Sequence, residues 1–530
     1  MKKLGAYLIE ALHAQGVTHV FGIPGVHNLE LYRGLAQSPI RHVAARHEQG
    51  LGFMADGYAR LSGEVGVCFT ITGPGLTNIL TSMGQAYGDS IPMLVVSSQN
   101  KRGEAGSGRG FLHELPDQTA LARGVSALCF VIHHADELPA ALEAAFALFA
   151  SDRPRPVYIE IGLDVLASDA SHLNLPRPIF TRRTPEATHL TAAATLLKSA
   201  QRPVVIAGGG ARGAVAELTW LIEQLDAPCV MTANARGLLG CTHPLAVPMS
   251  PSLASVRRLI QDADVVLAVG TEFGPTDFDM YSVSDFPTPK NLIRVDVDAQ
   301  QLTRSVMPTV SLCGDAVETL RLLMAADVGP QHVSAGSKRA SATCTDAFAE
   351  LSGAMQTQVM LLNRMRDTLP NALMVGDSTQ LVYAGNLGFN AATPGSWFNS
   401  ATGYGTLGYA LPASTGAGLA APDRPVLCLV GDGGLQFSLG EFAVLRDVNA
   451  WTAVIIWNNH GYGEIKTSME AVGIDPEGVD VREPDFSCIA KAYGYAHQTI
   501  RSVDALIHAL KAFGAKRQVV LLEIIPEAFA

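Results

Sequence analysis

Val426-Leu427-Cys428-Leu429-Val430-Gly431-Asp432-Gly433-Gly434 is an apolar run that breaks into a glycine turn around one carboxylate, and Asn458-Asn459 follows one helix and one strand later. A short apolar stretch closed by glycine reads as a buried strand. Asp432 and Asn459 stand 27 residues apart. That leaves room for a crossover of a dozen or more residues, which brings both groups to the same carboxyl edge of a parallel sheet. An Asp and an Asn offer hard oxygen ligands of the kind that suit Mg²⁺ shared with phosphates. Gly433 and Gly434 let backbone N–H groups approach a ligand near the start of a helix expected around Leu439–Asp447, where anions are favoured. Gly-Asp-Gly alone is a common tight turn. Joined to Asn458-Asn459 at this spacing, it predicts a metal-bridged diphosphate.

The pair of segments resembles the signature of the thiamine diphosphate enzymes. The resemblance implies that Asp432 and Asn459 are side-chain ligands of Mg²⁺, with a main-chain oxygen near Gly461 as a third. Gly431, Gly433 and Gly434 would then lie against the diphosphate. A second tract, Arg46-His47-Glu48-Gln49-Gly50 ahead of Met54-Ala55-Asp56-Gly57-Tyr58-Ala59-Arg60, is similar to that family's amino-terminal domain. It implies that Glu48 is the acid that protonates the cofactor's aminopyrimidine. Read alone, Glu48 is a solvated helix residue; burial would raise its pKa and let it hold a proton near neutrality. A third tract, Gly403-Tyr404-Gly405-Thr406-Leu407-Gly408-Tyr409-Ala410, is a glycine-rich loop entering a helix. By the resemblance Leu407 is an apolar wedge beneath the two rings and the Gly405 carbonyl accepts a hydrogen bond from the amino group. By itself the loop reads as glycine serving close packing.

The chain has 530 residues, 48% of them hydrophobic, enough for about three domains by the usual prior. The expected fold is α/β with three doubly wound parallel-sheet domains, divided as 1–167, 188–327 and 346–530, with polar linkers around Ser168–His189 and Val328–Thr343. A formal net charge of −11 argues against nucleic-acid or anionic-membrane partners. Eight cysteines without Cys-x-x-Cys spacing read as reduced, mostly buried thiols of a cytoplasmic protein. Met1–Glu10 reads as the start of an amphipathic helix, and no apolar run is long enough for a membrane span.

Gly208-Gly209-Gly210-Ala211-Arg212-Gly213 satisfies G-x-G-x-x-G between a strand and a helix, the place of a dinucleotide fingerprint. The acidic candidate Asp226 precedes Pro228 at the end of the next helix and not at a strand tip. In acetolactate synthases this domain binds FAD; Gly270-Thr271-Glu272-Phe273-Gly274-Pro275 lacks the arginine they commonly place there. FAD is therefore the lesser expectation.

The family's chemistry is loss of CO₂ from a 2-oxo acid, ended either by a proton, giving an aldehyde, or by a second carbonyl, giving a carbon–carbon bond. His113 is the candidate proton donor, since histidine titrates near neutrality, and His27 is a second. His133-His134 is assigned no role. Phe-Gln-Glu and the later lysine usual in acetolactate synthases are absent around His113–Gln118 and Ser126–Leu128. The tract Asn459–Ile465 with Gly473–Val479 looks more like the 5-guanidino-2-oxopentanoate (2-ketoarginine) decarboxylases. A guanidinium calls for a carboxylate in bidentate geometry. Glu464, Glu114 and Asp117 are the candidates, with Asp277 and Asp279 as alternatives. The readings carried forward are a homo-oligomeric decarboxylase, a dimer of dimers; an acetolactate synthase-like carboligase; and a catalytically silent binding protein.

Overall fold

The computed structural model describes residues 1–175, 180–278, 286–329 and 334–529. Among them, eighteen strands form three six-stranded sheets in which all pairings are parallel. The first holds β1 (His19–Gly22), β2 (Arg41–Ala44), β3 (Gly66–Thr70), β4 (Met93–Gln99), β5 (Leu128–Ile132) and β6 (Val157–Gly162) in the order β2-β1-β3-β4-β6-β5. The second holds β7 (Val204–Ala207), β8 (Cys229–Met231), β9 (Ala246–Val247), β10 (Val266–Val269), β11 (Leu292–Asp296) and β12 (Val310–Cys313), ordered β12-β11-β10-β7-β8-β9. The third holds β13 (Leu373–Gly376), β14 (Trp397–Asn399), β15 (Val426–Gly431), β16 (Thr452–Trp457), β17 (Ala496–Ile500) and β18 (Val519–Ile524), ordered β14-β13-β15-β16-β18-β17. The outer two sheets thus share one topology, and the middle one has the strand order of dinucleotide-binding folds.

Helices cover both faces of each sheet, so central strands such as Val426–Val430 are apolar at every position and buried. The first helix, Leu4–Ala14, buries most of its length beneath the first sheet. Two elements differ from expectation. The helical run after β15 begins at Asp432 itself, with Gly431 as the extended residue before it, and continues to Asp447 with a kink at Ser438. Paired glycines lack the apolar periodicity that marks a helix, which hid this start. Much of the expected second linker is helix, Gly336–Glu350, whose Ala340 and Ala347 pack on the core of the second sheet. Its alanines supply both helix propensity and close packing. Asp226, at the end of the helix Val215–Leu225, accepts the Gly336 N–H, so its carboxylate braces this junction.

The three units are joined by buried charge. Arg60 of the first pairs with Asp56 and Asp89, each at 2.6 Å. Tyr409 of the third donates to Asp56 at 2.5 Å, Thr402 to Asp89 at 3.0 Å, and Arg212 of the second to the Arg60 carbonyl at 3.0 Å. Helices Glu48–Ser62 and Ala410–Ala420 cross backbone to backbone here: a Cβ on Gly57 would stand 2.1 Å from the Ala413 carbonyl, and one on Gly416 1.9 Å from that of Met54. All eight cysteines are free, three buried, three half-buried and two exposed. Among the described residues no helix is long and apolar enough to cross a membrane.

Candidate active site

The third sheet reverses its winding between β13 and β15, and a cleft of about 430 Å³ opens at their carboxyl ends, the usual ligand site of such sheets. Gly405, Leu407, Gly431, Asp432, Gly433, Gly434, Asn459, Gly461 and Glu464 all line it. The sequence-derived cofactor residues of the third unit are therefore brought together. Leu407 is half-buried, facing Gly434. Gly461 adopts φ +141°, and a Cβ there would meet the Val479 carbonyl at 2.4 Å, so only glycine fits this turn.

The Asn459 amide can be oriented from its neighbours. The Trp457 indole N–H, which can only donate, lies 3.3 Å from Gln380 Oε1 and fixes that oxygen. The Asn459 amide nitrogen donates to the same oxygen at 3.2 Å. Its Oδ1 therefore faces Asp432 Oδ1 at 3.0 Å and the Gly461 carbonyl at 2.9 Å. Reversing the amide would set its oxygen against that of Gln380. An amide oxygen set this close to a carboxylate oxygen and a carbonyl oxygen, with no proton between them, is repelled unless a cation sits among them, and an octahedron with metal–oxygen bonds of about 2.1 Å has edges of about 3.0 Å. Asp432 Oδ2 is buried and unpartnered. Burial pushes the Asp432 carboxyl up, against backbone N–H groups of Asn459 and Gly461 that stabilise the anion. The donor set fits a hard divalent cation.

Several groups that line or support the cleft had no sequence reading. Asp377, fully buried after β13, accepts the Ser378 and Ala410 N–H groups and so holds the Leu407 loop; burial pushes it up to about 6. Val375-Gly376-Asp377 repeats the pattern of Val430-Gly431-Asp432, a signal available in the sequence. Ser378 and Thr379 lead into the helix Gln380–Gly388, which carries Gln380 and Tyr383, and Thr276 enters from the second unit without any local signature.

In the first unit Glu48 opens its helix, half-buried, and accepts a hydrogen bond from Asn78 at 2.9 Å. The expectation of a buried Glu48 is not met within one chain. His27 and His113 meet edge to face at 4.9 Å between ring centroids. His27 is 9% exposed with Nδ1 unpartnered, and burial followed by the charge of His113 lowers its pKa. His113 holds a left-handed φ of +63°, a conformation that costs energy at a non-glycine residue. Glu48, His27 and His113 do not line the cleft of their own chain.

The substrate candidates separate. Glu114 is committed to its own loop, accepting from the Ser107 hydroxyl and the Gly108, Gly110 and Phe111 amides. Asp117 caps the helix Gln118–Arg123 through the Ala120 N–H. Glu464 is exposed at the cleft. Asp277 lines a neighbouring cavity of about 230 Å³ with Arg236, and burial pushes it up to about 7. Asp279 lies outside the described residues. His133 and His134 are exposed.

The fold and cleft define a thiamine diphosphate enzyme. The chain matches the family described as "Thiamine pyrophosphate enzyme" in its N-terminal TPP binding domain over residues 2–121, its central domain over 190–323 and its C-terminal TPP binding domain over 376–524. It is 44% identical, over 98% of its length and 93% of the relative's, to "Probable 2-ketoarginine decarboxylase AruI" of Pseudomonas aeruginosa. It is 31% identical to "Acetolactate synthase isozyme 1 large subunit" of Escherichia coli, over 86% of this chain and 82% of the relative. "Probable acetolactate synthase large subunit" of Methanocaldococcus jannaschii is 29% identical over 98% and 91%. The chain belongs to the thiamine pyrophosphate enzymes.

Proposed function

We propose that the protein is a Mg²⁺- and thiamine diphosphate-dependent decarboxylase that converts a 2-oxo acid, 5-guanidino-2-oxopentanoate, to an aldehyde and CO₂. The observation that carries the cofactor reading is that Asn459 Oδ1, oriented by Gln380, stands 3.0 Å from Asp432 Oδ1 and 2.9 Å from the Gly461 carbonyl, both near the edge length of a Mg²⁺ octahedron. These would hold Mg²⁺, and the helical start at Asp432–Gly434 would offer N–H groups to the diphosphate. Bound thiamine diphosphate supplies the electron sink for departure of CO₂. Leu407 would support its rings, and the Gly405 carbonyl would accept a hydrogen bond from its amino group. Glu48, steadied by Asn78, would hold the proton at the aminopyrimidine nitrogen. His27, whose burial favours the neutral ring, orients substrate beside His113, which delivers the proton that ends the reaction as aldehyde. Glu464 receives the guanidinium. The 44% identity to a probable 2-ketoarginine decarboxylase supports this substrate.

Carboligation of two 2-oxo acids is the second reading, favoured by the acetolactate synthase relatives. A silent binding protein is disfavoured by the joint presence of Glu48, Asp432 and Asn459. The middle unit is read as flavin-free: Gly208 and Gly210 pack backbone to backbone on the Gly270 turn, and Glu272 is paired with Arg153 at 2.5 Å. The assembly is read as a cytoplasmic dimer of dimers with units 1–167, 188–327 and 346–530. The test is CO₂ release from 2-ketoarginine, pyruvate and benzoylformate with thiamine diphosphate and Mg²⁺, assaying aldehyde and acetolactate and recording flavin absorbance. Aldehyde from 2-ketoarginine is expected; acetolactate from pyruvate would move the protein to the synthase branch. A Glu48→Gln variant is expected to bind cofactor yet turn over at least about 100-fold more slowly.

A further inference from the structure

Glu441 lies on the helical run that begins at Asp432, yet its carboxylate serves the first unit. It is 2% exposed. Oε1 accepts the His47 N–H at 3.0 Å and the Arg46 N–H at 3.2 Å, and Oε2 accepts the Arg46 N–H at 3.2 Å. Gly50 leaves room for it: a Cβ there would stand 2.3 Å from Oε1. The Arg46 guanidinium turns away to Asp447 at 2.6 Å and does not pair with the buried acid. Burial pushes Glu441 up to about 7; the two amides and the Arg46 charge oppose this, and the charge of Glu48 adds to it.

A carboxylate buried on backbone N–H groups alone is expensive, and an apolar side chain of similar volume would fill the same space more cheaply. What the carboxylate does secure is the two amides immediately before Glu48, the first residue of its helix. Asn78 steadies the Glu48 carboxyl from the neighbouring helix at 2.9 Å. The loop before Glu48 is thereby gripped by a residue 395 positions from Arg46.

We infer that Glu441 is a positioning residue for Glu48, holding the Arg46–His47 turn so that the Glu48 carboxyl meets the cofactor's pyrimidine ring at a fixed distance. The inference rests on the role proposed for Glu48. Glu441→Gln keeps the shape but sets an NH₂ donor against backbone donors, and Glu441→Ala removes the grip. The readouts are thiamine diphosphate affinity by calorimetry, thermal midpoint, and exchange of the bound cofactor's C2 proton for deuterium, followed by acid quench and proton NMR.

For Glu441→Gln the expected result is affinity within about threefold of wild type and a thermal midpoint within a few degrees. C2 exchange should slow at least about tenfold and kcat fall in step, with KM for the 2-oxo acid unchanged. Glu441→Ala should slow exchange further; where it does not fold, Glu441→Gln decides. Wild-type exchange in Glu441→Gln, while Glu48→Gln abolishes exchange, overturns the inference and leaves the role of Glu48 standing. A loss of exchange explained wholly by lost affinity or folding overturns it too. Wild-type exchange in Glu48→Gln removes the reading of Glu48 and this inference with it.

Discussion

Asp432 and Glu441 are buried carboxylates on one helical run with different consequences for stability. Asp432 faces the Asn459 amide oxygen and has an unpartnered Oδ2, an arrangement suited to a cation. Adding Mg²⁺ with thiamine diphosphate should raise the thermal midpoint, a gain of about 2.7 kcal/mol at a hundredfold excess over Kd. EDTA should reverse it. Asp432→Ala should show no such shift and lose about two orders of magnitude of activity or more. Glu441 carries a pH dependence whose sign follows from its raised pKa. The folded state binds its proton more tightly than the unfolded chain, so its stabilisation is full below about 4.5 and lost as pH rises through about 7. Wild type should lose stability relative to Glu441→Gln between pH 5 and 8, by on the order of 3 kcal/mol at most, read from urea melts at each pH. Asp432 and Asn459 were legible because their partnership is local in sequence, one crossover apart. Glu441 and Asn78 were not, because each acts through a contact that only the fold creates.

At the scale of elements, the crossing of helices Glu48–Ser62 and Ala410–Ala420 connects the two halves of the proposed site. One helix begins at Glu48 and the other emerges from the Gly405–Leu407 loop. Their contact through Gly57 and Gly416 allows no side chain between the backbones. Gly57→Ala or Gly416→Ala should therefore force the helices apart, costing about 1–3 kcal/mol or more and lowering the thermal midpoint by several degrees in calorimetry. The sequence announced three parallel sheets through their apolar strand runs, since strands buried on both faces cannot look otherwise. It concealed the helical start at Asp432 behind two glycines, and it presented Gly336–Glu350 as a linker because alanine and serine carry little hydrophobic signal. The G-x-G-x-x-G tract reads differently once folded, its glycines answering the close approach of two turns within a dinucleotide-like strand order.

Across the whole molecule the proposed site is divided. Asp432, Asn459 and Leu407 line one cleft, while Glu48, His27 and His113 stand outside it in the same chain. Apolar side chains are exposed beside both halves: Val26, Leu29 and Leu112 near the histidines, and Tyr404, Phe437 and Ile465 near the cleft. Apolar side chains left exposed beside a site give another chain a surface to pack on. The arrangement supports a dimer in which the first unit of one chain completes the cleft of another. Such a dimer makes a quantitative prediction when two inactive variants are mixed. In a heterodimer of Glu48→Gln and Asp432→Ala chains, one site carries both lesions and the other carries neither. Random reassociation makes about half of the dimers mixed, each with one intact site, so about a quarter of wild-type turnover should return. Co-expressing differently tagged variants, purifying the doubly tagged species and assaying CO₂ release measures this directly, with about half of wild-type turnover expected for the pure heterodimer. No recovery would mean that Glu48 acts on the cleft of its own chain, and the two halves would then have to close on one another by movement of the units.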